Sequence, residues 1–372
     1  MARTLYFVAG EASADNHGAA LMQALRALAS DTVFAGRGGP RMKALAGDKF
    51  DNWIGRAGVL GLWEVIKQYG YFRRKFRETL HEIEQRKPDA VILIDYPGFN
   101  LRLARELRQR GTAGKIIYYI SPQVWAWNRG RIKKMARWID LMLCIFPFEA
   151  ELYNRSGLHT VFVGHPMLER LRARKIDIQR DPGLVGLFPG SRAREVRKIM
   201  PLMLGAAAEL RRANPDLRFE ISAASPELAA QIRDLLGNRA PQFEVKIDNA
   251  TALMQRAAAG IVASGSATLE AAYFRLPFVL VYKVAWLTYV AARLVVRVKF
   301  LGMPNVLADD EVVPEFIQHE ARPAAIARAV LRLLNNRNAR EHMLSQFDAI
   351  IGSLGEDGAS NRAASAILDE LA

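Results

Sequence analysis

Short apolar runs alternate with helix-length segments almost from end to end of this chain, and the pattern occurs twice. Leu5–Ala9, Ala90–Ile94, Lys115–Ile120, Leu141–Ile145 and Thr160–Val163 each read as a buried strand bounded by turn residues. Helix-length segments such as Gly18–Ala29 and Leu101–Arg110 lie between them. A strand that is apolar at nearly every position must be covered on both faces, and the crossover helices of a parallel sheet provide that cover. The pattern restarts with Leu184–Phe188, Arg218–Ser222, Phe243–Ile247, Gly260–Ala263 and Phe278–Tyr282, separated by helical Glu195–Ala213, Pro226–Leu236 and Ala267–Phe274. The charged stretch Glu169–Pro182 stands between the two sets as the natural linker. The predicted class is α/β, two Rossmann-like domains in tandem, with only helices from Arg322 onward.

A length of 372 residues suits two such domains. The single cysteine, Cys144, excludes a disulfide framework and a Cys-rich zinc site. The histidines show no metal-ligand spacing, so neither a metal nor a cofactor is expected. The apolar start LYFVAG is cut short by Glu11, and Phe278–Met303 is interrupted by Lys283, Arg293, Arg297 and Lys299. Neither fits a secretory signal or a membrane span of about 20 apolar residues, and a cytoplasmic location is expected. Lys plus Arg is 52 against 38 for Asp plus Glu, a net charge of +14. The partner should therefore be anionic: a phosphorylated ligand, a bilayer surface or nucleic acid. The basic run Arg129–Arg137 could touch phosphates, but no nucleic-acid module accompanies it, so nucleic acid is not expected.

Open parallel sheets bind ligands beyond the C-terminal ends of their strands. Four strand-end loops qualify. In Phe188–Glu195, Gly190 permits a tight turn, Ser191 can cap the next helix, and its N–H groups form an anion site. Arg192 there can grip phosphate through two hydrogen bonds. An ordinary capped helix start would read the same way. In Ser264–Glu270, the small residues Ser264, Gly265, Ser266 and Ala267 allow close approach of a ligand. Thr268 adds a hydroxyl and Glu270 could accept from a ribose, although an acidic helix cap looks similar. Together the two loops favour a nucleoside diphosphate. Asp95 ends the apolar strand VILI, where apolar neighbours raise basicity and suit a general base; a turn-capping Asp is the alternative. Gly10–Asp15 lacks the dinucleotide spacing; Ser13 or Asp15 should cap the following helix, and Glu11 could hold a sugar hydroxyl. His165, in Gly-His-Pro, reads as structural.

Two segments mix apolar and basic residues. Val65, Tyr69, Phe72, Phe76, Leu80 and Ile83 form a helical stripe beside Lys67, Arg73, Arg74, Lys75 and Arg77, after the apolar loop GVLGLW. Leu62, Trp63, Ile66 and Arg73 are its candidate lipid contacts. In Trp286–Leu301, at about 100° per residue, Trp286, Tyr289, Arg293, Arg297 and Phe300 share one side. Aromatics beside arginines resemble a helix lying on anionic lipid, and a protein interface would look alike.

With these loops in place, the sequence resembles the lipid-A-disaccharide synthases, bacterial glycosyltransferases, along its whole length. The resemblance rests on AGEASAD at Ala9–Asp15, GGPRM at Gly38–Met42, DYPGFN at Asp95–Asn100 and SPQVWAW at Ser121–Trp127. GHP at Gly164–Pro166, PGSRAREV at Pro189–Val196, SGSATLE at Ser264–Glu270 and MPNVLA at Met303–Ala308 complete it. It implies a GT-B glycosyltransferase with an interdomain cleft and C-terminal helices. The first domain would span 1–170, joined by the last helix at about 353–372, and the UDP-sugar domain 171–352. It implies transfer of 2,3-diacylglucosamine from UDP-2,3-diacylglucosamine to 2,3-diacylglucosamine 1-phosphate, without metal, giving a β-1',6 disaccharide. Asp95 would be the base, with inversion at the anomeric carbon. Gly190, Ser191, Arg192, Glu195, the Ser264–Thr268 loop, Glu270 and Asn305 would serve the nucleotide; Glu11, Ser13 and Asn100 would serve the sugar. It also implies a cytoplasmic protein, peripheral to the inner membrane through an anionic surface, and leaves a homodimer open. Ala14, Gly98 and Ser266 depart from the family's frequent Gly, Asp and Thr; with Gly98 a second carboxylate is lost, which favours Asp95. Other readings are a peptidoglycan-precursor glycosyltransferase, a UDP-sugar epimerase, or a non-catalytic lipid- or nucleotide-binding protein.

Overall fold

The computed structural model describes residues 3–54, 69–111, 114–126, 128–284, 286 and 298–372. Its contacts divide the chain into two compact units, Met1–Met167 with Leu354–Ala372, and Leu168–Ser353.

The first unit holds a parallel sheet of β1 Thr4–Ala9, β2 Val33–Gly38, β3 Phe50–Asn52, β4 Ala90–Ile94, β5 Lys115–Tyr119, β6 Leu141–Cys144 and β7 Thr160–Phe162. Their order is β3-β2-β1-β4-β5-β6-β7. β1 and β4 are central and almost wholly buried, as uninterrupted apolar runs require. Helix Ala12–Leu28 covers the sheet through Leu21, Met22 and Leu25. The last helix, Ala359–Glu370, places Ala363, Ala364 and Ile367 in the same core. The chain thus returns to its first unit after completing the second.

The second unit repeats the plan with β8 Asp181–Phe188, β9 Arg218–Ala223, β10 Glu244–Ile247, β11 Ala257–Ala263, β12 Phe278–Tyr282 and β13 Glu315–Ile317, in the order β10-β9-β8-β11-β12-β13. In each sheet the strand order reverses once, between β1 and β4 and between β8 and β11. Loops leaving neighbouring strands diverge there to opposite faces and open a crevice, the usual ligand position in such sheets.

Three strands, β2, β3 and β13, were not expected from the sequence. β2 contains Gly36, Arg37 and Gly38, which break the apolar run that marks a buried strand. Gly36 sits at φ 131°, where a Cβ would fall 2.1 Å from the Phe7 carbonyl oxygen, so only glycine lets β1 and β2 pair. Arg37 is buried in this strand because Asp51, at 2.9 Å, and Glu82, at 3.2 Å, balance its charge.

Candidate functional site

In the first unit the crevice is formed by the loops after β1 and β4. Asp95 and Tyr96, just past β4, both adopt left-handed backbone at φ 46° and 50°. Side chains other than glycine disfavour this conformation, so the surroundings must enforce it. The Asp95 N–H donates to the Tyr119 carbonyl at 3.0 Å. The Asp95 carbonyl accepts from the Tyr118 hydroxyl at 2.6 Å and from the Asn100 amide at 2.8 Å. Tyr96 lies flat on the chain at Gly10, where a Cβ would come within 2.4 Å of its ring. Trp53 donates to the Ala9 carbonyl at 2.6 Å and meets the rings of Tyr96 and Phe99 edge-on. Burial raises the Asp95 pKa above the usual carboxylate range, and the negative charge of Glu11 raises it further. Glu11 and Asp95 therefore form an interacting carboxylate pair across the strand-order reversal.

The other expected residues of this unit divide. Ser13 is exposed on the first turn of its helix. Asp15 does not cap that helix; it is buried and accepts the Gly39, Arg41 and Met42 N–H groups, each at 3.0 Å. It caps the next helix, Pro40–Ala46, which explains why AGEASAD and GGPRM occur together. Asn100 is fully buried, and its amide also donates to the Ile94 carbonyl at 3.1 Å. It shapes the Asp95 loop rather than facing a ligand, a correction to the sugar contact expected above. His165 accepts the Met167 N–H at 3.1 Å and rests on Phe146.

Sequence reasoning missed Glu149. It is fully buried on helix Pro147–Asn154 and accepts from Ser121 Oγ at 2.6 Å and Trp125 Nε1 at 2.8 Å. Burial pushes its carboxyl up to about 7. It anchors the loop that follows β5. Its signal was an acidic residue three positions after Phe146, which reads as an ordinary helix start.

In the second unit a cavity of about 280 Å³ opens beyond β8, β9 and β11. One wall is Phe188, Gly190, Ser191, Arg192 and Glu195; another is Ser264, Gly265, Ser266, Ala267 and Glu270. Gly190 takes φ 98°, turning the chain directly into helix Ala193–Ala213. Arg192 is 79 % exposed and pairs with Glu195 at 2.9 Å. Glu270 pairs with Arg170 at 2.7 Å. Thr268 is buried, and its hydroxyl donates to the Gly265 carbonyl at 2.8 Å. Asn305 is also buried, bonded to both backbone groups of Val313 and to Glu315, and does not line the cavity. Thr268 and Asn305 thus brace their loops from behind. Ser222, Ala223, Ala224, Asp248, Ala250 and Met254 also line the cavity and were not singled out; the small residues after β9 were their only signal. A larger hollow of about 470 Å³ around Ile176, Ile178 and Tyr273 involves Arg180. That arginine precedes β8 and binds the carbonyl of Ala257 at the start of β11, so this hollow lies at the wrong ends of the strands for ligand binding.

Among the described residues no group of side chains could hold a metal ion. Nor is any helix among them long and apolar enough to cross a membrane. Arg73 is exposed, and Trp286 is 63 % exposed. Leu62, Trp63, Ile66, Tyr289, Arg293 and Arg297 lie outside the described residues.

Comparison with known proteins extends the geometry. A family model described as lipid-A-disaccharide synthetase matches residues 5–368. Lipid-A-disaccharide synthase of Geobacter sulfurreducens is 39% identical, covering 99% of this chain and 97% of its own. That of Acidobacterium capsulatum is 40% identical, covering 96% and 94%. Among solved structures, the UDP-GlcNAc 2-epimerase of Neisseria meningitidis bound to UDP-GlcNAc aligns with a TM-score of 0.63 at 14% identity, over 99% of this chain and all of its own (100%). The calicheamicin glycosyltransferase aligns at 0.56 and 16%, over 100% and 98%. These two likenesses concern the fold, which is that of GT-B glycosyltransferases and epimerases.

Proposed function

The chain belongs to the lipid-A-disaccharide synthetase family, and from that premise we propose how its two strand-end sites divide the work. It is an inverting glycosyltransferase that moves 2,3-diacylglucosamine from UDP-2,3-diacylglucosamine to 2,3-diacylglucosamine 1-phosphate. The products are the β-1',6-linked lipid A disaccharide precursor and UDP.

In our reading the second unit holds the UDP. The exposed Arg192 guanidinium and the backbone N–H groups near Gly190 and Ser266 face the pyrophosphate, and they stabilise the charge that grows on UDP as the glycosidic bond breaks. Donors already in place cost no reorganisation during the reaction; one of them is worth roughly 3 kcal/mol in other enzymes. Glu270, paired with Arg170, lines the same cavity and takes the ribose side. In the first unit Asp95 accepts the proton of the acceptor's 6-hydroxyl as that oxygen attacks the anomeric carbon from the face opposite UDP. Glu11 raises the basicity of Asp95 and accepts from a sugar hydroxyl. No metal enters this scheme. The lipid substrates bring the chain to an anionic membrane surface as a peripheral protein, with exposed Arg73 in the first unit and exposed Trp286 in the second as candidate contacts.

The observation behind this reading is the carboxylate pair at the strand-order reversal of the first unit, in which burial and the charge of Glu11 raise the basicity of Asp95. The test is incubation of the purified chain with UDP-2,3-diacylglucosamine and the monosaccharide 1-phosphate, followed by mass analysis. A disaccharide monophosphate is expected. Recovery of only an epimerised UDP-sugar, or of unchanged substrates, would contradict the assignment.

A further inference from the structure

A cluster of cations in the first unit has no part in the chemistry above. Arg129 and Arg131 flank Gly130 in a single tight turn. Lys133 and Lys134 follow on a short helix whose other side, Ile132 and Met135, is buried. Arg129, Lys133 and Lys134 are exposed, and none of them meets a carboxylate among the described residues. Several other cations of this unit are paired instead. Arg37, Arg86, Arg108 and Arg110 each meet an acidic partner, at 2.9, 3.0, 2.6 and 2.9 Å. Exposed like charges such as Arg129, Lys133 and Lys134, held close together, repel one another, so an anion from outside is their natural counterpart.

The cluster is both well placed and well anchored. It belongs to the loop leaving β5, the strand next to β4, which delivers Asp95. Tyr118 of β5 donates its hydroxyl to the Asp95 carbonyl at 2.6 Å. The charge of Arg131 acts on that same hydroxyl, so the turn lies on the Asp95 edge of the sheet. Buried Glu149 holds the base of the loop through Ser121 and Trp125, and the Tyr153 hydroxyl donates to the Pro122 carbonyl at 2.7 Å. Arg129 Nε donates to the Trp125 carbonyl at 3.3 Å. The cations therefore ride on a fixed platform, one strand away from the proposed base.

We propose that Arg129 and Arg131, backed by Lys133 and Lys134, form the subsite for the acceptor's 1-phosphate. This rests on the reading above, in which Asp95 receives the proton of the acceptor's 6-hydroxyl. That hydroxyl and the anomeric phosphate lie across one sugar ring, so fixing the first at Asp95 places the second beside a neighbouring strand end. Adjacent strands are about 4.8 Å apart, a step of sugar-ring scale. A phosphate monoester carries about −1.5 to −2 charge near neutrality and suits the planar guanidinium fork. The subsite would make the enzyme choose a phosphorylated acceptor over the same sugar without phosphate.

The test compares kcat/KM on the phosphorylated acceptor and on the same diacylglucosamine lacking the phosphate. The whole chain is used as wild type, as Arg129→Ala with Arg131→Ala, and as Arg129→Lys with Arg131→Lys. The wild type is expected to prefer the phosphorylated acceptor by about 10- to 100-fold. The double alanine variant should lose that preference and the double lysine variant should regain part of it, with KM for the UDP donor holding steady. Equal losses on both acceptors would overturn the subsite, as would a retained preference with weaker sedimentation on anionic vesicles, which would make the turn a membrane contact. If the wild type used neither acceptor, the reaction itself would fall, and the subsite with it.

Discussion

The two sheets share one plan, yet their crevices are built in opposite ways. Beyond β1 and β4 the loops are held rigidly. Asp95 and Tyr96 are forced into left-handed backbone, Asn100 is sunk beneath them, and Trp53, Tyr96 and Phe99 form the wall. Beyond β8 and β11 the positive-φ positions are glycines, Gly190 and Gly265, with Asp248 the one left-handed non-glycine of the described cavity lining, and the exposed Arg192 and Arg170 pair with the more buried Glu195 and Glu270. Strain at ordinary residues costs on the order of 1–3 kcal/mol each and persists only where the surroundings impose it. Glycine adopts the same conformation at little steric cost. The first crevice holds Asp95 in an unfavourable backbone conformation with a raised pKa, which suits the proton-accepting role proposed for it. The second offers backbone and exposed arginine to a ligand that brings its own charge. In the proposed reading the same plan thus serves chemistry in the first unit and capture in the second.

The sharpest way to break this contrast is to remove the reactive group. Asp95→Asn keeps the shape and should lower kcat by about 10²–10⁴-fold, while UDP affinity measured by calorimetry stays at the wild-type value. A variant that keeps its rate, or loses UDP, would merge the two roles. Glu149 tests whether the first unit stores electrostatic strain away from Asp95. Its carboxyl, pushed up to about 7, keeps a proton in the folded chain that the unfolded chain releases near 4.5. Folded stability from this group is therefore full below the lower value and declines as pH rises through the upper one, by on the order of 3 kcal/mol. In chemical denaturation, wild type minus Glu149→Gln stability should shrink from pH 5 to pH 7.5; a flat difference would refute it. The smallest effect belongs to the capture side. Arg192→Ala should weaken UDP binding by about tenfold, the loss of one charge-assisted contact. No change would move the pyrophosphate away from Gly190.

Much of this plan was legible in the sequence. Runs such as VILI before Asp95 announce central strands because nothing polar interrupts them, and small residues after β8 and β11 announce room for a ligand. What stayed hidden depended on distant partners. β2 was not picked out because it carries Gly36, which leaves room for the Phe7 carbonyl of another strand, and Arg37, which is neutralised by Asp51 and Glu82. Asp15 looked like the cap of its own helix, whereas its acceptors lie at Gly39–Met42. Asn100 looked like a ligand contact because the motif places it beside Asp95, whereas burial commits it to backbone carbonyls. Local pattern reports what a residue is able to do; only the packed chain reports which neighbour has claimed it.

The central claim is that Asp95 acts as a base whose strength is set by burial and by Glu11, and the pH dependence of kcat/KM tests it most directly. The acidic limb should lie above the ordinary aspartate value of 3.8 and move to lower pH in Glu11→Gln, because removing the neighbouring negative charge makes Asp95 easier to ionise. A limb that stays in place in Glu11→Gln, or that survives unchanged in Asp95→Asn, would contradict the account.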